Sequence, residues 1–323
     1  MATIETVLGP IDSAELGFTL MHEHLLLAAA GVLRDYPELL GGRLLERIVA
    51  TLTAAKTGGV DTIVDASTFE KGREVSLMAE ASRRSGVTIV AATGWHNELP
   101  RFFRGVSVNQ LAELFSREIV EGISGTGIKA AVLKAGSDRE GVTAQEESIL
   151  RAVARAHRNT GAPIILHSYA PGEIGRRQLE VLTEEGVDPG RVKVDHCNNT
   201  TNVDYLLWLL DQGCYLGMDH YPTYRGPDPL HQGRRVGPLQ RTETLKALLD
   251  RGHARRVCPS HDWIAARIIA GDGPSEEQRR QLNPLEFLYV SQVVIPQLRE
   301  MGVEERTLES LCVEAPRRFF EGG

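Results

Sequence analysis

The 323-residue chain has a formal net charge of -7, with 42% hydrophobic and 24% charged residues, a balance that supports a large buried core. The acidic excess excludes the clustered basic surface that nucleic acid or an anionic membrane requires, and no apolar run reaches the roughly 20 residues of a membrane helix. The length suits either two ordinary domains or one α/β barrel of about 250 residues with insertions.

The run Thr19-Leu20-Met21-His22-Glu23-His24 reads as a buried strand. Alternate side chains on a strand share a face, so His22 and His24 point the same way. That pair suits a divalent cation and equally suits two hydrogen-bonded histidines at a strand end. Leu44, Leu45, Ile48, Val49 and Leu52 then repeat at helical spacing up to Gly58-Gly59. A strand over Val60 to Ser67, a helix over Arg73 to Arg84 and a strand over Val87 to Thr93 follow. Ser107-Val108-Asn109-Gln110 is a capping box ahead of Leu111, Leu114, Phe115 and Ile119, and this helix leads to a strand over Ile128 to Lys134.

Thr143-Ala144-Gln145-Glu146 is a second capping box, opening a helix with Ile149, Leu150, Val153 and Ala156 on one side. Further on come a strand over Pro163 to His167, a helix over Arg176 to Glu185, and a strand over Val192 to His196. Thr201 is the expected N-cap of a helix through Leu210. Cys214 to His220 is a strand, Thr242 to Arg251 a helix, and Arg256 to Asp262 the last strand.

Eight strand-like runs thus alternate with helices, with no linker composition between them. This predicts one domain over residues 1–323 and a parallel sheet closed into a (β/α)8 TIM barrel. No GxGxxG or GxxxxGK[ST] loop follows a strand, which weighs against a nucleotide-binding fold. The connections after His220 and after Asp262 are long, roughly twenty residues each, and such loops build barrel pockets. Gly233-Arg234-Arg235 reads as solvated loop. Cys197, Cys214, Cys258 and Cys312 are far apart and form no CxxC pair, which fits reduced core cysteines and a cytoplasmic location. The start of the sequence shows no basic patch followed by an apolar stretch, the pattern of a secretory leader.

Barrel active sites sit at the C-terminal strand ends, and these ends carry His22, His24, Lys134, His167, His196, His220 and Asp262. Together they supply enough nitrogen and oxygen donors for two divalent ions such as zinc. Lys134 lies in an apolar strand, where burial favours loss of its proton. A neutral amine takes up carbon dioxide to give a carbamate whose two oxygens can bridge two cations. The alternative is an ion pair with a rim carboxylate such as Asp65. Asp262 fits a metal ligand and general base, or a helix cap. His220 fits an outward proton relay, or a core histidine.

This constellation resembles the phosphotriesterase family of the amidohydrolase superfamily. The matching pieces are Gly17-Phe18-Thr19-Leu20-Met21-His22-Glu23-His24, Ile63-Val64-Asp65, Val90-Ala91-Ala92-Thr93-Gly94, Leu133-Lys134, Leu166-His167-Ser168, Asp195-His196, Gly217-Met218-Asp219-His220 and Ser260-His261-Asp262-Trp263. They occur in family order over nearly the whole chain. The resemblance implies two divalent ions, with His22, His24 and Asp262 on the more buried one and His167 and His196 on the exposed one. It also implies an N6-carboxylated Lys134 bridging both. Zinc is the expected metal, and cobalt, manganese and iron accept the same ligands.

The implied chemistry is attack of a metal-bridging hydroxide on an ester centre, with Asp262 taking the proton and His220 relaying it. The implied substrate is a small-molecule organophosphate triester, with a lactone or carboxylic ester as the alternative. Trp95, His96, His220 and Tyr221 are the implied substrate-binding positions, and a homodimer is the implied assembly. Ser67-Thr68-Phe69, Asp219-His220-Tyr221-Pro222 and Asp262-Trp263 are more similar to organophosphate-hydrolysing members than to lactonases, which usually carry arginine where His220 stands and tyrosine near His96. Several positions depart from the organophosphate pattern. His96 and Asn97 replace an aromatic pair, Leu27 a glycine, Thr223 a second histidine and Asn199 the aspartate of the relay.

Overall fold

The computed structural model describes residues 2–222, 236–267 and 275–322. Thr223 and the Gly233-Arg234-Arg235 run lie outside the described residues. The chain opens with an antiparallel hairpin that the sequence reading did not foresee, β1 (Thr3–Thr6) and β2 (Gly9–Asp12). Among the described residues nine parallel strands follow: β3 (Thr19–Leu27), β4 (Thr62–Asp65), β5 (Thr88–Gly94), β6 (Val132–Ser137), β7 (Ile164–Ser168), β8 (Val192–Val194), β9 (Tyr215–Met218), β10 (Val257–Pro259) and β11 (Ile264–Arg267). Their order is β10-β9-β8-β7-β6-β5-β4-β3-β11. Most are Val-, Ile-, Leu- and Ala-rich runs buried on both faces, as strands of a parallel sheet covered by helices must be.

The sheet closes into the expected (β/α)8 barrel through one interrupted strand. β10 pairs with β9 (Val257 opposite Leu216), whereas β11 pairs with β3 (Ile264 opposite His24). Between them the backbone crosses from one neighbour to the other. Asp262 N–H donates to the His22 carbonyl at 3.1 Å, and His24 N–H donates to the Trp263 carbonyl at 2.9 Å. The segment after Asp262, expected to be loop, therefore begins as strand, because it still has a barrel edge to pair with.

Both capping boxes form. Ser107 Oγ accepts from Gln110 N–H at 3.3 Å ahead of helix Val108–Val120, and Thr143 N–H donates to Glu146 Oε2 at 2.7 Å ahead of helix Ala144–Thr160. Helix Val203–Asp211 is capped by Asn202 instead of Thr201, with Tyr205 N–H donating to Asn202 Oδ1 at 3.2 Å. Helix Pro238–Leu249 starts a turn before Thr242, since proline suits the first helical position.

Helices pack over the outer face of the sheet in two clusters, one around Leu133, Leu166, Val194 and Leu216 and one around Leu20, Ile63 and Ile89. A third cluster fills the interior with Met21, Val64, Val90, Val132, Ile165 and Tyr215 and is plugged by Ile4 from the hairpin and Phe319 from the final helix, Ala315–Glu321. Polar interior side chains occupy the opposite end. Among the described residues, no helix is long and apolar enough to cross a membrane.

Candidate metal centre

β3 carries an irregularity in its pairing with β4, Leu20 opposite Ile63 but Glu23 opposite Asp65. The extra residue lets Met21 fill the interior while His22 and His24 reach the mouth above it, their ring centroids 5.3 Å apart. His24 Nε2 stands 3.1 Å, and His22 Nε2 3.6 Å, from Asp262 Oδ1. The opposite ring nitrogens are held from behind. His24 Nδ1 meets Ser67 Oγ at 2.8 Å, while His22 Nδ1 lies 2.8 Å from Asp195 Oδ2 and 2.9 Å from Asp219 Oδ2.

Asp219 serves two histidines, because its Oδ1 is also 2.9 Å from His196 Nδ1 and accepts the His196 backbone N–H at 2.7 Å. Room for both carboxylates depends on Gly217. A Cβ there would stand 2.3 Å from Asp195 Oδ1 and 2.8 Å from Asp219 Oδ2.

His196 Nε2 and His167 Nδ1 face each other at 2.7 Å, and the His220 ring stacks on His196 with centroids 4.0 Å apart. His220 Nε2 is 3.0 Å from Asp262 Oδ2, and its Nδ1 is 2.9 Å from Asn199 Oδ1. Arg241 fixes this arm by donating to the His220 carbonyl and to Asn199 Oδ1. His196 (φ 62°) and Asp262 (φ 50°) both adopt left-handed backbone, a conformation that persists where surrounding bonds over-determine it.

Burial sets most of the electrostatics. It pushes His167 down to about 3, and takes His196 and His96 well below the usual imidazole value, so their nitrogens present lone pairs. His22 is the exception. Burial and the charge of Lys134 oppose its protonation, yet Asp195 and Asp219 hold it at about 9. Asp262, although burial opposes its ionisation, stays well below the usual carboxylate range through its contacts with His220 and His24.

Lys134 lies within β6, which runs over Val132–Ser137 and not over Ile128 to Lys134 as expected; it has 2% exposure, and burial lowers its pKa. Its Nζ donates to Asp195 Oδ2 at 3.1 Å, the oxygen that also meets His22. The rim partner considered from sequence, Asp65, instead accepts from the backbone N–H groups of Leu25 and Ser67, both at 2.8 Å. Lys193, beneath the site, pairs with Asp195 Oδ1.

Among the described residues, three groups of side chains are close enough to hold a metal ion: His22 with His24 and Asp262, His22 with His196 and Asp219, and His196 with His220 and Asp262. Imidazole and carboxylate donors suit borderline divalent ions, and histidines oriented by carboxylates from behind are the usual companions of such ions.

The strand-end residues singled out from sequence therefore converge. Two of the implied substrate-binding residues are buried in aromatic contacts. Trp95 is 3% exposed, packed between Phe69 and Phe103, and Tyr221 is 1% exposed, stacked on Tyr289. His96 does reach the mouth, its ring 4.5 Å from His167. Sequence reasoning missed the roles of Asp195 and Asp219. The available signal was a carboxylate in an apolar strand, one residue before a histidine, in Val194-Asp195-His196 and Met218-Asp219-His220.

The model of the phosphotriesterase family matches residues 2–320. A phosphotriesterase homology protein of Mycobacterium tuberculosis (strain ATCC 25618 / H37Rv) is 37% identical over 333 residues, covering 99% of this chain and 98% of the relative. An aryldialkylphosphatase of Saccharolobus solfataricus is 33% identical over 313 residues, covering 96% of each. A solved structure of the phosphotriesterase from Mycobacterium tuberculosis matches with a TM-score of 0.90 at 35% identity over 99% of both chains. With this agreement along its whole length and a mouth built of imidazoles and carboxylates, the chain belongs to the phosphotriesterase family, as a metal-dependent hydrolase acting on ester bonds.

Proposed function

We propose that the protein is a binuclear hydrolase that cleaves organophosphate triesters, working as a single domain over residues 1–323. The observation that carries this reading is the convergence of His22, His24, His167, His196 and Asp262 on one barrel mouth. His22, His24 and Asp262 would hold the more buried ion, His167 and His196 the exposed one, and an N6-carboxylated Lys134 would bridge them. Burial supports that modification, since it favours the neutral amine that reacts with carbon dioxide. Zinc is the first choice of metal. Two divalent ions bound there would acidify water and polarise the ester.

The chain's own residues supply the proton path. Asp262 accepts the proton on its carboxylate and hands it from Oδ2 to His220 Nε2, 3.0 Å away. The side-chain relay ends there, because the Asn199 oxygen accepts from both His220 Nδ1 and Arg241 and takes up no proton.

A second reading, a lactonase or carboxylesterase with triester hydrolysis as a side activity, rests on the burial of Trp95 and Tyr221. No side chain from that pair is placed to grip an aromatic leaving group, which leaves His96 and His220 as substrate contacts. The readings separate in one kinetic panel. Protein of known metal content is assayed with a nitrophenyl phosphotriester, a lactone and an aryl ester, and kcat/KM compared. The triester is expected to lead, and a lactone ahead by tenfold or more, about 1.4 kcal/mol, would reverse the assignment.

A cytoplasmic location is proposed on the four free, buried cysteines. A homodimer is proposed on the family resemblance and on Tyr36, Leu39, Phe69 and Phe102, large apolar side chains exposed on the loops that follow the neighbouring strands β3, β4 and β5.

A further inference from the structure

His22 and His24 face the mouth, so the strand alternation turns Glu23, between them, the other way. It is fully buried and accepts four hydrogen bonds from one short segment. Its Oε1 takes Ser260 Oγ–H at 2.7 Å, His261 N–H at 3.0 Å and His261 Nδ1–H at 2.6 Å, and its Oε2 takes Trp263 N–H at 2.8 Å. These donors flank Asp262 on both sides. They sit in the crossing segment where the last strand leaves β9 for β3 and where Asp262 is left-handed.

His261 is pinned at its far side too. Its Nε2 accepts the Val290 backbone N–H at 3.0 Å, from a π-helical turn over Val290–Val294. That bond places the ring proton on Nδ1, facing Glu23. The left-handed conformation is one that residues with a β-carbon adopt only sparingly. The surrounding bonds must over-determine it for the conformation to persist.

We propose that Glu23 is a positioning residue for Asp262, holding the crossing segment in the one backbone path that aims the Asp262 carboxylate at His24 and His220, with His261 and Ser260 as its partners. The proposal rests on the reading of Asp262 as metal ligand and proton acceptor, and deepens it. Neither Glu23 nor His261 touches the reacting groups. They act through the residue between the two backbone N–H groups that Glu23 holds.

The test uses the full-length protein loaded with cobalt(II), with Glu23→Gln, Ser260→Ala, Asp262→Asn and the Glu23→Gln/Asp262→Asn double variant. A glutamine keeps the shape of Glu23 but turns an NH2 group toward one set of donors. Glu23→Gln is expected to weaken cobalt binding about tenfold or more, to change the visible absorption of the bound cobalt, and to lower kcat with KM nearly unchanged. Ser260→Ala removes one of the four bonds and is expected to move the same readouts in the same direction by less. It carries the test if Glu23→Gln does not fold. Because Glu23 acts through Asp262, the double variant is expected to lose little beyond Asp262→Asn alone. Wild-type cobalt affinity and spectrum in a folded Glu23→Gln or, failing that, in Ser260→Ala would overturn the proposal, as would additive effects in the double variant. Failure of the wild type to bind cobalt overturns the metal reading instead and is told apart by that result.

Discussion

His167 Nδ1 and His196 Nε2 face each other at 2.7 Å inside the mouth of the barrel, although burial keeps both rings neutral. His196 directs its Nδ1 to Asp219, which leaves its Nε2 as a lone pair aimed at His167. His167 Nδ1 and His196 Nε2 would together hold a divalent cation bound there. Chelation is therefore expected to abolish ester hydrolysis, and zinc or cobalt to restore it. His167→Asn is expected to lower the metal content from about two ions per chain towards one, read by elemental analysis after desalting.

Asp219 holds the Nδ1 atoms of both His22 and His196. Asp219→Asn should therefore weaken metal binding about 10–100-fold, the usual cost of losing a carboxylate behind a ligating histidine, with the far-UV circular dichroism unchanged. Chelator competition measures it. Gly217→Ala is expected to do at least as much damage, since its Cβ meets Asp195 Oδ1 at 2.3 Å.

The residues that face the mouth were legible because strand alternation and barrel geometry are local rules. His22 and His24 share a face by period alone, and Lys134, His167, His196 and His220 each follow a recognisable apolar run. What stands behind them was not legible. That Asp219 serves His22 depends on two strands 197 residues apart in sequence meeting across the barrel, and no local pattern encodes that. The splitting of the last strand was hidden for a related reason. Its second half pairs with β3 at the start of the chain, so Ile264–Arg267 looked like loop when read beside its sequence neighbours. Trp95 and Tyr221 came from the family resemblance as substrate-binding positions, and both are buried. Their packing against Phe69, Phe103 and Tyr289 is set by tertiary contacts that no local pattern encodes.

Carboxylation of Lys134 gives a spectroscopic signature. Protein loaded with metal in the presence of 13C-bicarbonate is expected to show a carbamate resonance that Lys134→Gln lacks. An unmodified amine in metal-replete wild type would remove the bridging role, and Lys134 would then stand as the ion-pair partner of Asp195.

The exposed rim of Tyr36, Leu39, Phe69 and Phe102 tests the assembly. Phe102 is 94% exposed, so Phe102→Glu costs the folded chain little while setting a charge in any apolar contact between copies. Light scattering is expected to give a dimer for the wild type and a shift towards monomer for the variant, with kcat/KM on the triester within about threefold. A wild-type monomer at all concentrations would end the dimer proposal.

The binuclear reading is decided by a metal titration of the metal-free protein, following turnover of a nitrophenyl phosphotriester against ions bound per chain. It predicts no turnover without metal and a rise that levels off at about two ions per chain. Full activity in metal-free protein, or a metal-saturated protein that hydrolyses no phosphotriester, would contradict it.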